Sequence, residues 1–252
     1  MNRADQSPPI ARFLSRLLHR SPLTQAEQRI LLSLKGESSR HAAHRDIVSP
    51  GQRVEHSCLI VDGLAGRFDQ MANGQRQITA LHLPGDMCDL HSVAVPHAGW
   101  GIESLSPTRI SSIPHEAIRK VAVDYPGVGF AFWRDTVVDG SVLAKWLSAL
   151  GRRSAKSRLA HLICEMGIRL ELNGQGDRRA FPLPLTQSQL GDVLGVTPVH
   201  LNRSLQALRQ DELVAMNARE VRIIDREGLE HVAEFDPEYL LLDRQDKYTG
   251  GL

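Results

Sequence analysis

Cysteine is scarce in this chain of 252 residues, and surplus charge is scarcer. Cys58, Cys88 and Cys164 lie far apart with no CxxC pair. One chain therefore cannot build a zinc site or a four-cysteine iron–sulfur site from them. Three reduced, buried thiols of a cytosolic protein are what that usage implies. Thirty Lys and Arg stand against 29 Asp and Glu, a net charge of +1, so total charge gives no argument for a polyanionic partner. No apolar run is long enough to span a bilayer. The opening "MNRADQSPPIARFLSRLLHRSPL" is no signal peptide either, because Arg12, Arg16 and Arg20 interrupt its apolar residues. A cytoplasmic protein without membrane attachment is expected. Enzyme motifs are missing too: no GxSxG, HExxH, P-loop or dinucleotide glycine pattern occurs. The pair His41 and His44 in "HAAH" has no third ligand nearby and reads as a surface feature. No catalytic residue and no metal site are assigned.

What is present is a globular composition, 42% hydrophobic and 23% charged, in a length sufficient for one large or two ordinary domains. Ile10, Phe13, Leu14, Leu17 and Leu18 fall at helical spacing and predict a short amphipathic helix. "TQAEQRILLSL" offers a capping box, Thr24 with Glu27, before Ile30, Leu31 and Leu34 on one face. From about Ser38 to Pro114, glycines punctuate short apolar runs such as "CLIV", "QITALHL" and "TRISSI". Asn73-Gly74 predicts a hairpin whose two central residues both take positive φ. Many short strands with regular turns imply a compact antiparallel roll, barrel or sandwich. Pro114 is expected at the first turn of a helix. A longer helix follows from roughly Val128 to Leu150, with Phe132, Val138, Val142, Leu143, Trp146, Leu147 and Leu150 mainly three or four apart. Periodicity alone leaves open whether that stripe meets a copy of itself or the roll. Ser157 to Leu172 is another amphipathic helix, and "NGQGDRRAFPLP" breaks the pattern as a loop or a β excursion.

The most informative segment is "LTQSQLGDVLGVTPVHLNRSLQALRQDELV", Leu185 to Val214. Thr186 can cap a helix whose inward residues are Leu190, Val193 and Leu194, and Gly195 permits a sharp left-handed turn. Thr197 caps a second helix with Pro198 at its first position. Leu201, Leu205 and Leu208 fix the inward face, so Val199, His200, Asn202, Arg203 and Gln206 point outward. This is a helix-turn-helix unit. A DNA major groove gives those residue types a purpose: guanine offers two acceptors to an arginine fork, and Val199 can touch a thymine methyl. Thr186, Gln187 and Ser188 stand at a helix N-terminus, where phosphates bind well. Two β runs around Asn217-Ala218 and a short helix begun by Asp225 add a wing, with Arg219 and Arg222 near the duplex backbone. The alternative is a helical hairpin in a core or protein interface that leaves Arg203 merely solvated.

Through its whole length this segment resembles the signature of the Crp/Fnr superfamily of bacterial transcription regulators. The resemblance extends over about Thr24 to Leu241, through a roll, a long helix and a winged helix-turn-helix in that order. It implies an α+β protein: N-terminal helices (1–37), a cyclic-nucleotide-binding-like antiparallel β-roll as sensor (38–125), a dimerisation helix (126–152) and a winged helix-turn-helix DNA-binding domain (153–252). It also implies a homodimer joined along the long helix, with Val138, Val142, Trp146 and Leu150 at the contact. Two recognition helices would then address half-sites one DNA turn apart on a near-palindromic operator in double-stranded DNA. RNA polymerase is a further partner if the protein activates. The family's guanine-reading arginine falls on Arg203, whereas its usual first-turn arginine and glutamate fall on Pro198 and Val199. His200 and Asn202 are the implied replacements, so the half-site should differ from the commonest ones. Relatives that bind cyclic nucleotides carry a glutamate after a glycine and an arginine about ten residues later. Here Gly85 precedes Asp86, and no Lys or Arg occurs from Gln77 through Thr108. A phosphodiester buried without a cation is costly, so no cyclic nucleotide is expected. Haem on His82, His91 or His97 and a redox role for Cys88 are the other sensing chemistries within the family. A binding module that does not touch DNA is the alternative outside it.

Overall fold

The computed structural model describes residues 8–217 and 220–242. Two helices open the chain, α1 (Ile10–Leu18) and α2 (Gln25–Leu32). Seven strands follow: β1 (Glu37–His41), β2 (Arg45–Val48), β3 (His56–Asp62), β4 (Ala65–Gln70), β5 (Arg76–His82), β6 (Gly101–Ser104) and β7 (Thr108–Pro114). Next come α3 (His115–Asp124), α4 (Pro126–Arg152) and α5 (Ala155–Leu172). The remainder is β8 (Ala180–Pro182), α6 (Gln187–Leu194), α7 (Pro198–Gln210), β9 (Val214–Asn217), β10 (Glu220–Ile223) and α8 (Arg226–Ala233). Contacts divide the described residues into two compact units, 8–65 with 82–139 and 241–242, and 66–81 with 140–217 and 220–240.

In the first unit β7 lies between β1 and β3, antiparallel to both, with Ile60 opposite Ile110. β2 pairs antiparallel with β6. Alternation along β3 sends its side chains to opposite faces. Cys58 and Ile60 join Val48, Val54, Ile102 and Ile110 in one core. Leu59 faces the other way, against Phe13, Leu17, Ile113, Ile118 and Phe132 in a second core built partly by α1. Both faces of β3 are covered, which explains why "CLIV" is an unbroken apolar run.

Local sequence explains most boundaries. Thr24 Oγ1 accepts from the Glu27 amide at 3.3 Å, while Glu27 Oε2 accepts from the Thr24 amide at 2.8 Å, so the expected capping box starts α2. Pro114 ends β7 and caps α3, one residue before the helix rather than within its first turn. The β4–β5 hairpin forms, but not through a two-residue turn. Met71 N–H donates to Gln75 O at 2.8 Å, and Gly74 at +84° takes positive φ while Asn73 does not. That longer loop needs one glycine and leaves Asn73 free to accept the Gln75 amide through its side chain. His41 closes β1 and His44 sits at φ 62°, so the pair is not on a helix.

In the second unit β10 lies between β8 and β9. α5 packs against α7 and α8. It is buried nearly all round, from Leu159 to Ile168. Gly167 explains part of that fit: a Cβ there would stand 2.6 Å from Arg178 O. α5 also carries Glu165, fully buried, whose carboxylate accepts from Trp146 Nε1 at 2.8 Å, Tyr239 Oη at 2.8 Å and Arg169 Nη1 at 3.0 Å. Three donors offset the cost of burying that charge.

Candidate nucleic-acid interface

α6 and α7 are held by the devices that their sequence predicts. Thr186 and Gln189 form a reciprocal capping box at 3.2 and 2.8 Å. Gly195 adopts φ 61° and closes α6, and Val196 N–H returns to Gly191 O at 3.0 Å. Thr197 caps α7 with Pro198 at its first position. Leu190, Val193 and Leu194 from α6 and Leu201, Leu205 and Leu208 from α7 are buried. This burial sets the rotation of α7 about its axis. Val199, His200, Asn202, Arg203 and Gln206 are consequently exposed, as are Thr186, Gln187, Ser188 and Thr197.

The outward residues differ in how they are held. Asn202 Nδ2 donates to Gln187 Oε1 at 3.3 Å, which ties the middle of α7 to the start of α6. Ser204 Oγ turns back to His200 O at 2.9 Å, leaving the His200 ring outside. The side chains of His200 and Arg203 have no hydrogen-bond or ion-pair partner among the described residues. Behind α7, Arg209 donates to Met216 O and fixes the wing strand β9. Arg222 on β10 is exposed, whereas Ala218 and Arg219 lie outside the described residues. The arrangement presents donors on one convex helix, backed by leucine and flanked by a wing.

A hydrogen-bond chain beneath this unit runs in one direction. Arg153 Nη1 can only donate, so His161 Nδ1 accepts at 2.8 Å. His161 Nε2–H then faces the Tyr239 hydroxyl at 3.1 Å, and that hydroxyl donates to Glu165. Burial, aided by the charges of Arg153 and Lys145 and opposed by Glu165, brings the His161 pKa down to about 4. Burial and the neighbouring Glu165 push the Tyr239 hydroxyl well up.

Four residues on α4 are expected at a dimer contact. Val138, Val142 and Trp146 are buried within their own chain, Trp146 by its bond to Glu165, and Leu150 is half-buried. The open face of α4 instead carries Phe130, Trp133, Val137, Gly140, Ala144 and Leu147. Trp133 is 66% exposed and Leu147 69%, and Phe130 stacks on Trp133 at 6.1 Å. Their spacing alternates three and four residues, the period of a coiled-coil seam. That alternation is readable in the sequence, but the buried stripe has similar spacing and stronger hydrophobicity.

In the roll, Asp86 Oδ2 accepts from Leu83 N–H at 2.9 Å, and Asp86 Oδ1 pairs with Arg16 of α1 at 3.2 Å. Gly85 faces the Arg12 backbone and Cβ. Cys88 is fully enclosed, and burial raises its pKa well above the ordinary thiol value. His82 is buried, His91 lies against Trp100 at 4.9 Å, and His97 is exposed. The three are not gathered with further ligands: among the described residues no group of three His, Cys, Asp or Glu is placed to hold a metal ion. No helix among them is long and apolar enough to cross a membrane.

Residues 157–232 match the family model of the Crp-like helix-turn-helix domain. The transcriptional activator protein FnrL of Cereibacter sphaeroides is 24% identical over 215 residues, which cover 84% of this chain and 82% of the relative. The chain therefore carries a Crp-like helix-turn-helix domain and is similar to Crp/Fnr transcription regulators over most of its length. Solved Crp/Fnr folds agree. FixK2 from Bradyrhizobium japonicum superposes with a TM-score of 0.72 at 24% identity, covering 79% of this chain and 98% of that one. A CooA mutant from Carboxydothermus hydrogenoformans gives 0.64 at 16% identity, covering 87% and 95%. The chain thus combines an antiparallel roll, a long helix and a Crp-like helix-turn-helix domain.

Proposed function

We propose that two copies of this regulator join along α4 and read a near-palindromic operator with two α7 helices. The observation that carries the reading is the outward face of α7, where Arg203 and His200 stand exposed and unengaged opposite buried leucines. Arg203 forks onto a guanine, Asn202 and His200 reach neighbouring base edges, and Val199 meets a thymine methyl. Thr186, Gln187, Ser188 and Thr197 hold phosphates at the two helix starts, and Gln206 extends the contact along the groove. The dimer seam is the stripe from Phe130 to Leu147. Its 17 residues of separation correspond to about 26 Å of helix. A lone exposed tryptophan and leucine would be ordinary; a continuous stripe on a long helix fits a second copy.

The regulator works in the cytoplasm and contacts RNA polymerase where it activates. Its effector is not a cyclic nucleotide: Asp86 is already committed to Leu83 and Arg16, and no Lys or Arg occurs from Gln77 through Thr108. Selection of bound duplexes from random-sequence DNA, followed by gel shifts and sedimentation, tests the proposal. A recovered inverted repeat with half-sites spaced by about 34 Å, bound by a dimer, is expected. Failure to enrich any sequence would leave a regulator-like module that acts without reading DNA.

A further inference from the structure

We infer that the β4–β5 hairpin is a clasp on the helix-turn-helix, and that Gln77 is the residue through which it positions α7. This rests on the DNA-reading role proposed above. The hairpin residues 66–81 fall in the same compact unit as 140–240. Gln77 of β5 is half-buried, and its Nε2 donates to Asp192 O at 2.6 Å and Val193 O at 3.2 Å. Those carbonyls belong to the last turn of α6, where a helix has no intrahelical donors left to offer. A side-chain amide from a segment 115 residues away supplies them.

The contact falls immediately before the turn that aims α7. Gly195 follows Val193 by two residues, and a Cβ there would meet Gln77 Oε1 at 3.4 Å and Leu150 Cδ2 at 3.0 Å. Arg76 reinforces the same point: it lies 3.9 Å over the Phe68 ring and its charge opposes the upward push of burial on the Asp192 carboxyl. A second attachment sits further along β5. Arg169 of α5 donates to Leu81 O at 2.6 Å while its other arm holds Glu165. Positions 77 and 81 are about 13 Å apart along a strand. One attachment would fix a place; two fix a direction. The hairpin touches α6 at its end, so the reading face of α7 stays open while its orientation is set.

The test uses the full chain and the duplex recovered by selection. Gln77→Ala removes the donor, and Gln77→Glu replaces it by a carboxylate that can only accept. Both variants are expected to unfold cooperatively like the parent, yet exchange the Gly195 and Val196 amides faster. Operator affinity should fall roughly five- to tenfold, as for a coupling between separate sites. The slope of affinity against salt should stay unchanged, because no phosphate contact is lost. Unchanged exchange, unchanged or higher affinity, or a reduced salt slope would each overturn the clasp. Should the parent chain select no DNA, the DNA reading fails separately, and the exchange rates alone decide whether the clasp exists.

Discussion

The Tyr239 hydroxyl donates to the Glu165 carboxylate at 2.8 Å, joining residues 74 positions apart at the centre of the DNA-binding unit. Because Glu165 is fully buried, each of its donors matters. Tyr239→Phe keeps the ring and removes one charge-assisted bond, so a loss of about 1.5–3 kcal/mol in urea unfolding is expected. Glu165→Ala leaves Trp146, Tyr239 and Arg169 without their acceptor and should cost more, roughly 3–5 kcal/mol. Equal stability of parent and Tyr239→Phe would show that the carboxylate does not depend on this donor.

Acidification should act oppositely on the two units. Asp89 accepts from Cys58 N–H at 2.6 Å through Oδ1, while its buried Oδ2 has no partner. Burial raises its pKa to about 7 against an ordinary 3.8. The folded state then holds a proton that the unfolded chain releases, so stability falls as pH rises from about 4 to 7 and is level above. The span is worth up to about 4 kcal/mol. His161 behaves in the opposite way: its folded pKa of about 4 lies below the ordinary 6.5. Its contribution of about 3 kcal/mol is complete above pH 6.5 and is lost as pH falls towards 4. Amide exchange at Cys58 and Leu162, measured against pH, separates the two. Asp89→Asn should flatten the first profile alone, and His161→Gln the second alone.

Substitutions on the two faces of α4 should separate assembly from folding. Leu147→Asp and Trp133→Asp place a charge in the open stripe and are expected to shift sedimentation to monomer with little change in unfolding. Val142→Ala empties a buried position instead, costing roughly 1–3 kcal/mol while leaving assembly intact. The reverse pattern would return the contact to the buried stripe.

Arg203→Ala should reduce discrimination at one base pair of each half-site by about 1–3 kcal/mol, without altering the dimer. Competition gel shifts with single-base operator variants measure this directly. Discrimination equal to that of the parent at every position would remove the arginine from base reading.

The α7 interface was legible because it is built locally. Thr186, Gly195, Thr197 and Pro198 fix two helices and a turn within a dozen residues, and three leucines orient the second helix without reference to the rest of the chain. The Thr24 capping box and the wing followed for the same reason: caps and turns depend on neighbours three or four residues away. Hairpin existence was equally readable, but its turn was not. Asn73-Gly74 fits two loop lengths, and the Met71 N–H to Gln75 O bond closes the longer. Which stripe of α4 stays open was not decided by sequence either. Two apolar stripes share that helix, and hydrophobicity cannot say which one the chain covers itself. Only the fold brings Glu165 beside Trp146, consuming one stripe and exposing the other. Likewise, nothing near Gln77 or Asp86 announces Asp192 or Arg16 as partners. Short-range periodicity determined the elements and the reading face; contacts across more than a hundred residues of chain, or between residues with no shared pattern, were left to tertiary packing.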